Sequence, residues 1–226
     1  IRRPPRSTQS RSSAASDVYK RQLLIVTLIL VVLIPFLVMI VILIKCKMGS
    51  PIFFTQDRLG YKGKVFKIWK FRSMIDCLDE NGDPMSDNYR LTGFGKFLRN
   101  WSIDELPQLW NIILGDMSLI GPRPFVAEYE LEYTPRQMRR HELRPGISGW
   151  AQVTGRNTLS WNKKFIRDVW YVDNCSLRLD LKILLYTIPL VLMRAGIAAD
   201  NHVTMPVWLG NRSKKDVTLS EKNSDL

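Results

Sequence analysis

Leu23–Ile44 reads LLIVTLILVVLIPFLVMIVILI, 22 residues without a charge, followed at once by Lys45 and Lys47. As a straight helix this segment would measure about 33 Å, enough to cross a bilayer core of about 30 Å. It is too long for the apolar region of a signal peptide, and no small-residue cleavage site follows it. Pro35 removes one helical hydrogen bond and clashes with the preceding turn, so a kink near Val31–Pro35 is expected. The two halves hold 12 and 9 residues, about 18 Å and 13 Å of helix, and neither crosses alone. A sharp bend would return the chain to the face it entered, whereas a mild kink would let it span. Periodicity leaves both open.

Upstream, residues 1–22 (IRRPPRSTQSRSSAASDVYKRQ) hold almost no large apolar side chains. They are expected to be a non-native leader, a cloning scar or read-through, with a membrane-surface arm or transit peptide as the alternative. Six Lys/Arg against one Asp put five units of charge there. The 226-residue chain carries 33 Lys+Arg and 21 Asp+Glu, a formal net charge of +12, so seven units belong to the rest. A composition 46% hydrophobic excludes disorder. The basic excess favours a polyanionic partner: nucleic acid, an anionic membrane surface or a phosphorylated substrate. Three widely spaced Cys (Cys46, Cys77, Cys175) argue against a disulfide scaffold and against a zinc site.

Downstream, a second apolar stretch, Leu181–Met193, is interrupted by Lys182 and Pro189. It is too short to span and reads as a core or interface-lying helix. The expected organisation is a membrane helix at residues 23–44, a catalytic body at 49–205 on the cytoplasmic side, and a polar tail at 206–226.

Within the body, Pro51–Gln56 and Lys64–Phe71 read as two strands of a hairpin joined by Asp57–Gly63. Lys62, Lys64, Lys67, Lys70 and Arg72 form a basic edge that faces either solvent or a membrane. Asp79–Asp87 reads as a loop, since it lacks the spacing and closing Glu of an EF-hand. Ser102-Ile103-Asp104-Glu105 precedes apolar residues at 106, 109, 110 and 113, which is a capping-box signature, and Pro107 suits a first helical turn. In the plainer reading Glu105 caps the helix and Asp104 complements its dipole. In the functional reading a phosphate also binds there, with a divalent cation at the facing carboxylate; hard oxygen ligands suit Mg2+.

Arg123 lies between Pro122 and Pro124 on a stiff backbone, fit to hold a guanidinium ready for phosphate. Leu143–Asn157 (LRPGISGWAQVTGRN) reads as a loop whose glycines, Arg144, Arg156, Trp150 and Gln152 are parts of a nucleotide-phosphate site. No Walker A pattern is present, and no G-x-G-x-x-G opens a helix. His141 and His202 have no Ser or Cys context for a triad, so acyl transfer is disfavoured.

In order, Gly49–Arg58, Phe66–Met74, Leu91–Asn111, Gly115–Pro124, Arg144–Asn157 and Asp180–Leu184 resemble the bacterial sugar transferase family. These are small monotopic phosphoglycosyltransferases that begin glycan assembly on a polyprenol phosphate carrier. The resemblance runs to about residue 205. His202-Val203-Thr204 leans towards the type that transfers phospho-N,N'-diacetylbacillosamine.

The resemblance implies an α/β (α+β) membrane-associated catalytic domain, with a re-entrant helix broken at Pro35 and interface-lying amphipathic helices. It implies that Asp104 attacks the sugar-bearing phosphorus of a UDP-sugar, releasing UMP and forming a phosphosugar–aspartyl intermediate that polyprenol (undecaprenyl) phosphate resolves. Glu105 is implied as general base or metal support, Mg2+ as the ion at Asp104, and Lys70, Arg99, Arg123, Arg144 and Arg156 as substrate-binding groups. The implied location is the bacterial inner membrane, with the catalytic domain facing the cytoplasm and no nucleic-acid partner. Two positions depart from the family pattern. Ile34 stands where members often have Ser before the proline, and the leader replaces the basic amphipathic start, so the natural N-terminus is expected to be missing. The competing expectation is a non-catalytic membrane-surface adaptor that binds anionic lipid.

Overall fold

The computed structural model describes residues 8–155, 158–193, 208 and 210, as a mixed helix and strand fold. In chain order the elements are α1 (Thr8–Met48), β1 (Phe53–Leu59), β2 (Val65–Phe71), α2 (Asp87–Arg90), α3 (Gly93–Asn100) and α4 (Gln108–Leu114). They continue with β3 (Ser118–Ile120), α5 (Pro135–Met138), β4 (Gly146–Ser148), α6 (Trp150–Val153), α7 (Trp161–Asn174) and α8 (Leu177–Leu192). Short 3-10 turns lie between them.

The long apolar stretch is helical as one element, which begins at Thr8 within the leader and carries Pro35 inside it. Val26–Met48, with mean hydropathy 3.4, is long and apolar enough to cross a membrane. A narrow seam of that helix packs inward: Val26, Leu30, Leu33, Leu37, Ile40, Ile44 and Met48, in steps of three and four. Val26 meets Ile68, Leu109, Ile112 and Met117, while Ile40, Ile44 and Met48 meet Phe71 and Leu98. Leu28, Val31, Val32, Ile34, Val38 and Ile42 point outward and are exposed. Lys45 and Lys47 complement the helix dipole in the last turn. Gly49 then turns the chain in the left-handed region, at φ +74°, where a side chain would be strained.

β1 and β2 form the expected hairpin, antiparallel, with Phe53 opposite Phe71 and Leu59 opposite Val65. Its turn is tighter than expected: Asp57–Leu59 remain in the strand, and Gly60 N–H closes the turn on the Lys64 carbonyl at 2.8 Å. Arg72 leaves the basic edge and turns inward. Its guanidinium donates to the Ser50 carbonyl at 2.6 Å and the Met48 carbonyl at 3.4 Å, and pairs with Asp76. The edge of the hairpin is therefore not one uniform cationic face.

The Leu143–Asn157 stretch departs furthest from its expected loop. It builds β4, parallel to β3 with Ser118 opposite Gly146 and Ile120 opposite Ser148, and then α6. The glycines here serve close packing rather than an open phosphate cradle. A Cβ on Gly146 would come within 2.1 Å of the Gly121 nitrogen, and one on Gly149 within 2.1 Å of the Gly121 oxygen. Their amides are occupied accordingly, Gly121 N–H by the Ser148 carbonyl and Gly146 N–H by the Pro122 carbonyl. The expected helix at Leu181–Met193 is present and starts earlier, at Leu177, behind a Ser176 cap. Buried Asp180 accepts from the Tyr171 hydroxyl at 2.7 Å, fastening α8 to α7, while Leu181, Leu184, Leu185, Ile188 and Leu192 stay exposed.

Candidate active site

Asp104 and Glu105 sit in a 3-10 turn, Ile103–Glu105, between α3 and α4. The expected capping box does not form. Ser102 is in the left-handed region at φ +53° with no side-chain cap, and α4 starts only after Pro107. The reason is competition for Glu105. Its carboxylate takes Lys70 Nζ at 2.8 Å and Arg123 Nη2 at 2.5 Å, with Arg123 Nη1 reaching the second oxygen at 3.4 Å. Two charge-assisted partners outweigh one backbone amide.

Each partner is placed by its own element. Lys70 is at the end of β2, and that strand is stapled to α4 by Asn111, which is fully buried. Asn111 Oδ1 accepts from Trp69 N–H at 3.1 Å, and its Nδ2 donates to the Lys67 carbonyl at 2.8 Å. Gly115, at φ +89°, ends α4 and sends the chain back into β3 towards Arg123. Arg99 is on α3, its Nε donating to Ser73 Oγ at 2.9 Å. That helix approaches so closely that a Cβ on Gly95 would sit 1.7 Å from the Ser73 oxygen, so only glycine fits.

The two adjacent carboxylates are driven apart. Burial pushes Asp104 up to about 6; Lys70, Arg99 and Arg123 oppose that rise, and Glu105 adds to it. Glu105 is partly buried, and the Arg123 and Lys70 charges overcome the cost of that burial and hold it well below its ordinary value. Asp104 is 7% exposed, and among the described residues no side chain hydrogen-bonds its carboxylate. At neutral pH it is mostly ionised, yet more basic than an ordinary carboxylate. A carboxylate made more basic beside one held as an anion is the kind of split that nucleophilic and acid–base sites use.

Of the site residues expected from sequence, Lys70, Arg99, Arg123, Asp104 and Glu105 come together here. Arg144 is directed elsewhere in its recorded contacts, with Nε on the Gly115 carbonyl at 2.9 Å and its guanidinium over the Tyr61 ring. Arg156, Asn157 and the His202–Thr204 motif lie outside the described residues, as does most of the polar tail. Asn111, the residue that fixes the strand under Lys70, carries no motif of its own. Its role is visible in sequence only as a polar residue in an apolar helix face.

A carboxylate pair split this way, among cations and beside a long apolar helix, is the equipment of a group-transfer enzyme acting on an anionic substrate. Residues 15–194 match the family model described as bacterial sugar transferase, and the chain belongs to that family. It is 53% identical over 168 residues to the uncharacterized sugar transferase EpsL of Bacillus subtilis strain 168, covering 74% of this chain and 83% of that protein. It is 39% identical over 195 residues to the exopolysaccharide production protein ExoY of Sinorhizobium fredii NGR234, covering 76% and 84%. It is also 39% identical over 185 residues to the UDP-glucose:undecaprenyl-phosphate glucose-1-phosphate transferase of Klebsiella pneumoniae, covering 76% of this chain but only 39% of that protein.

Proposed function

We propose that this chain transfers a sugar 1-phosphate from a UDP-sugar to polyprenol phosphate, undecaprenyl phosphate in bacteria, releasing UMP and starting glycoconjugate or polysaccharide assembly. The observation that carries this reading is the contrast between Asp104, raised and free of hydrogen-bonding side chains among the described residues, and Glu105, pinned by Arg123 and Lys70. The names of the Klebsiella relative and of an Aeromonas hydrophila N-acetylgalactosamine counterpart support a UDP-sugar donor and an undecaprenyl phosphate acceptor.

In this mechanism an Asp104 oxygen attacks the sugar-bearing phosphorus, the bond from that phosphorus to UMP breaks, and UMP leaves with the electron pair. An oxygen of polyprenol phosphate then attacks the same phosphorus and Asp104 departs as a carboxylate. Arg123, Lys70 and Arg99 face the charge that builds up on the phosphoryl oxygens. Glu105, held as an anion, is a poor proton acceptor, so its proposed role is to orient Arg123 and Lys70 rather than to act as a base.

The Asp104 carboxylate also fits a hard divalent cation, which takes one or two protein carboxylates and completes its shell with substrate phosphate and water. Mg2+ held there would offset the repulsion between carboxylate and diphosphate. The exposed apolar faces of α1 and α8 support a seat on the cytoplasmic face of the inner membrane. There α1 is proposed to bend at Pro35 and re-enter, which brings the site to the level of the lipid phosphate.

The test is a panel of UDP-sugars incubated with the chain, Mg2+ and undecaprenyl phosphate, followed by UMP release. At least one sugar is expected to release UMP, with the phosphosugar trapped on the Asp104 peptide by mass spectrometry. Equal UMP release by wild type and Asp104→Asn would end the covalent reading. No release with any sugar, beside tight binding to anionic vesicles, would favour the adaptor.

A further inference from the structure

Beneath the Arg123 loop lies an ion pair that the reaction above does not use. Arg140, 1% exposed, donates from Nη2 and Nε to Asp168 Oδ2 at 2.8 Å and 3.1 Å, and Asp168 on α7 is 2% exposed. Arg140 Nη2 also donates to the backbone carbonyl of Arg123 at 2.5 Å. The same guanidinium lies 3.9 Å from the centroid of the Phe125 ring. One side chain thus grips the Pro122–Phe125 loop at two points, and α7 fixes its orientation through Asp168.

A pair this deeply buried is a poor device for stability, because apolar residues of similar volume commonly serve as well or better. It does supply direction. The Arg123 side chain reaches Glu105 from a backbone bracketed by two prolines, neither with an N–H to anchor it. The loop's carbonyls are therefore its handles: Gly146 N–H takes that of Pro122 and Leu59 N–H that of Phe125, while Arg140 takes that of Arg123 itself. Lys164, one turn before Asp168 on α7 and also buried, adds positive charge to this wall.

We infer that Arg140 and Asp168 are positioning residues: they aim Arg123 at Glu105 and at the substrate phosphate, and act on the reaction only through it. The inference rests on the proposed phosphosugar transfer for its kinetic consequence, but not for its structural one.

The experiment uses the full chain in detergent, with Arg140→Met/Asp168→Leu, Arg140→Lys and, as control, Arg139→Ala. Among the described residues, the ion pairs of Arg139 are exposed ones, with Glu142 and Asp173. The double variant removes both charges, so neither is left buried alone. Lysine keeps the charge next to Asp168 but lacks the fork needed to hold Asp168 and the Arg123 carbonyl together. In both Arg140 variants, amide exchange across residues 121–126 is expected to accelerate at least tenfold while that of the hairpin is unchanged. UMP release is expected to lose ten- to a hundredfold in kcat with KM within threefold, and Arg139→Ala to match wild type in both measurements. Should the double variant fail to fold, Arg140→Lys carries the same two readouts. Unchanged exchange at 121–126, or a kcat loss that follows global unfolding, would overturn the inference. Faster exchange in a chain whose wild type releases no UMP would leave the positioning intact and sink the transfer reading instead.

Discussion

Arg123 and Glu105, eighteen residues apart, meet with Nη2 2.5 Å from Oε1, and this contact decides which of two adjacent carboxylates stays available. Lys70 completes the clamp from the hairpin. Asp104, next in the chain, receives no such bond among the described residues, and burial raises its proton affinity instead. The difference between a raised carboxyl and an anchored one is thus made by tertiary contacts on chemically similar neighbours.

Removing the anchor tests that division. Glu105→Gln leaves Arg123 and Lys70 without their shared anion and removes one of the charges that raise Asp104. The expected result is a loss of roughly 100-fold in UMP release, the scale found when a charge-positioning group is removed from a reacting centre. Arg123→Lys should not restore the arrangement, since an ammonium cannot fork across both Glu105 oxygens. Initial rates for the two variants, with melting curves to confirm folding, decide this.

Asp104→Asn should separate activity from stability. A carboxyl whose folded value is raised from 3.8 to about 6 binds its proton more tightly in the fold than in the unfolded chain. Its contribution is therefore favourable at low pH and is lost as pH rises through 6, and above that the ionised form carries a cost of about 3 kcal/mol. A neutral amide avoids that cost. In the absence of divalent cations the variant is expected to melt several degrees higher at pH 7.5, with little difference at pH 4, while UMP release disappears.

The staple at Asn111 gives a purely structural prediction. Asn111→Leu fits the volume but leaves the Trp69 N–H and the Lys67 carbonyl without their partner. Each such buried orphan costs about 1–3 kcal/mol, so a fall of several degrees in melting temperature is expected. Activity should fall as well, because the strand that carries Lys70 loses its tie to α4.

The sequence makes some of this legible and conceals the rest for identifiable reasons. The hairpin is readable from its strands and turn residues, and the two apolar helices from their length. The inward seam of α1 is hidden because its outward positions are equally apolar, so no periodicity marks Val26, Ile40 or Ile44. Ser102-x-x-Glu105 satisfies a local rule that two distant cations override. Gly146 and Gly149 look like a flexible loop until the backbone of Gly121 is seen against them. Arg140 and Asp168, 28 residues apart, carry no local signal of their pairing.

The α1 seam can be probed by contrast. Ile44→Ala empties a fully buried position against Phe71 and Leu98 and is expected to destabilise by about 2–5 kcal/mol. Val32→Ala, on the exposed face, should leave the melting temperature in detergent unchanged. Equal effects from both substitutions would mean that the helix does not pack along this seam.

His141 supplies a pH dependence independent of the Asp104–Glu105 pair. It is 5% exposed, its Nδ1 lies 3.0 Å from the Gly60 carbonyl, and burial, reinforced by Arg140, lowers it from 6.5 to about 4. Between those values the unfolded chain takes up a proton that the folded chain refuses, so stability rises with pH in that window. The contribution is complete above pH 6.5, is lost progressively as pH falls towards 4, and amounts to about 3 kcal/mol at most. His141→Gln can keep one polar contact to Gly60 without titrating. Its melting temperature should therefore decline less than that of wild type between pH 6.5 and 4.5, and parallel slopes would show that His141 is not the group responsible.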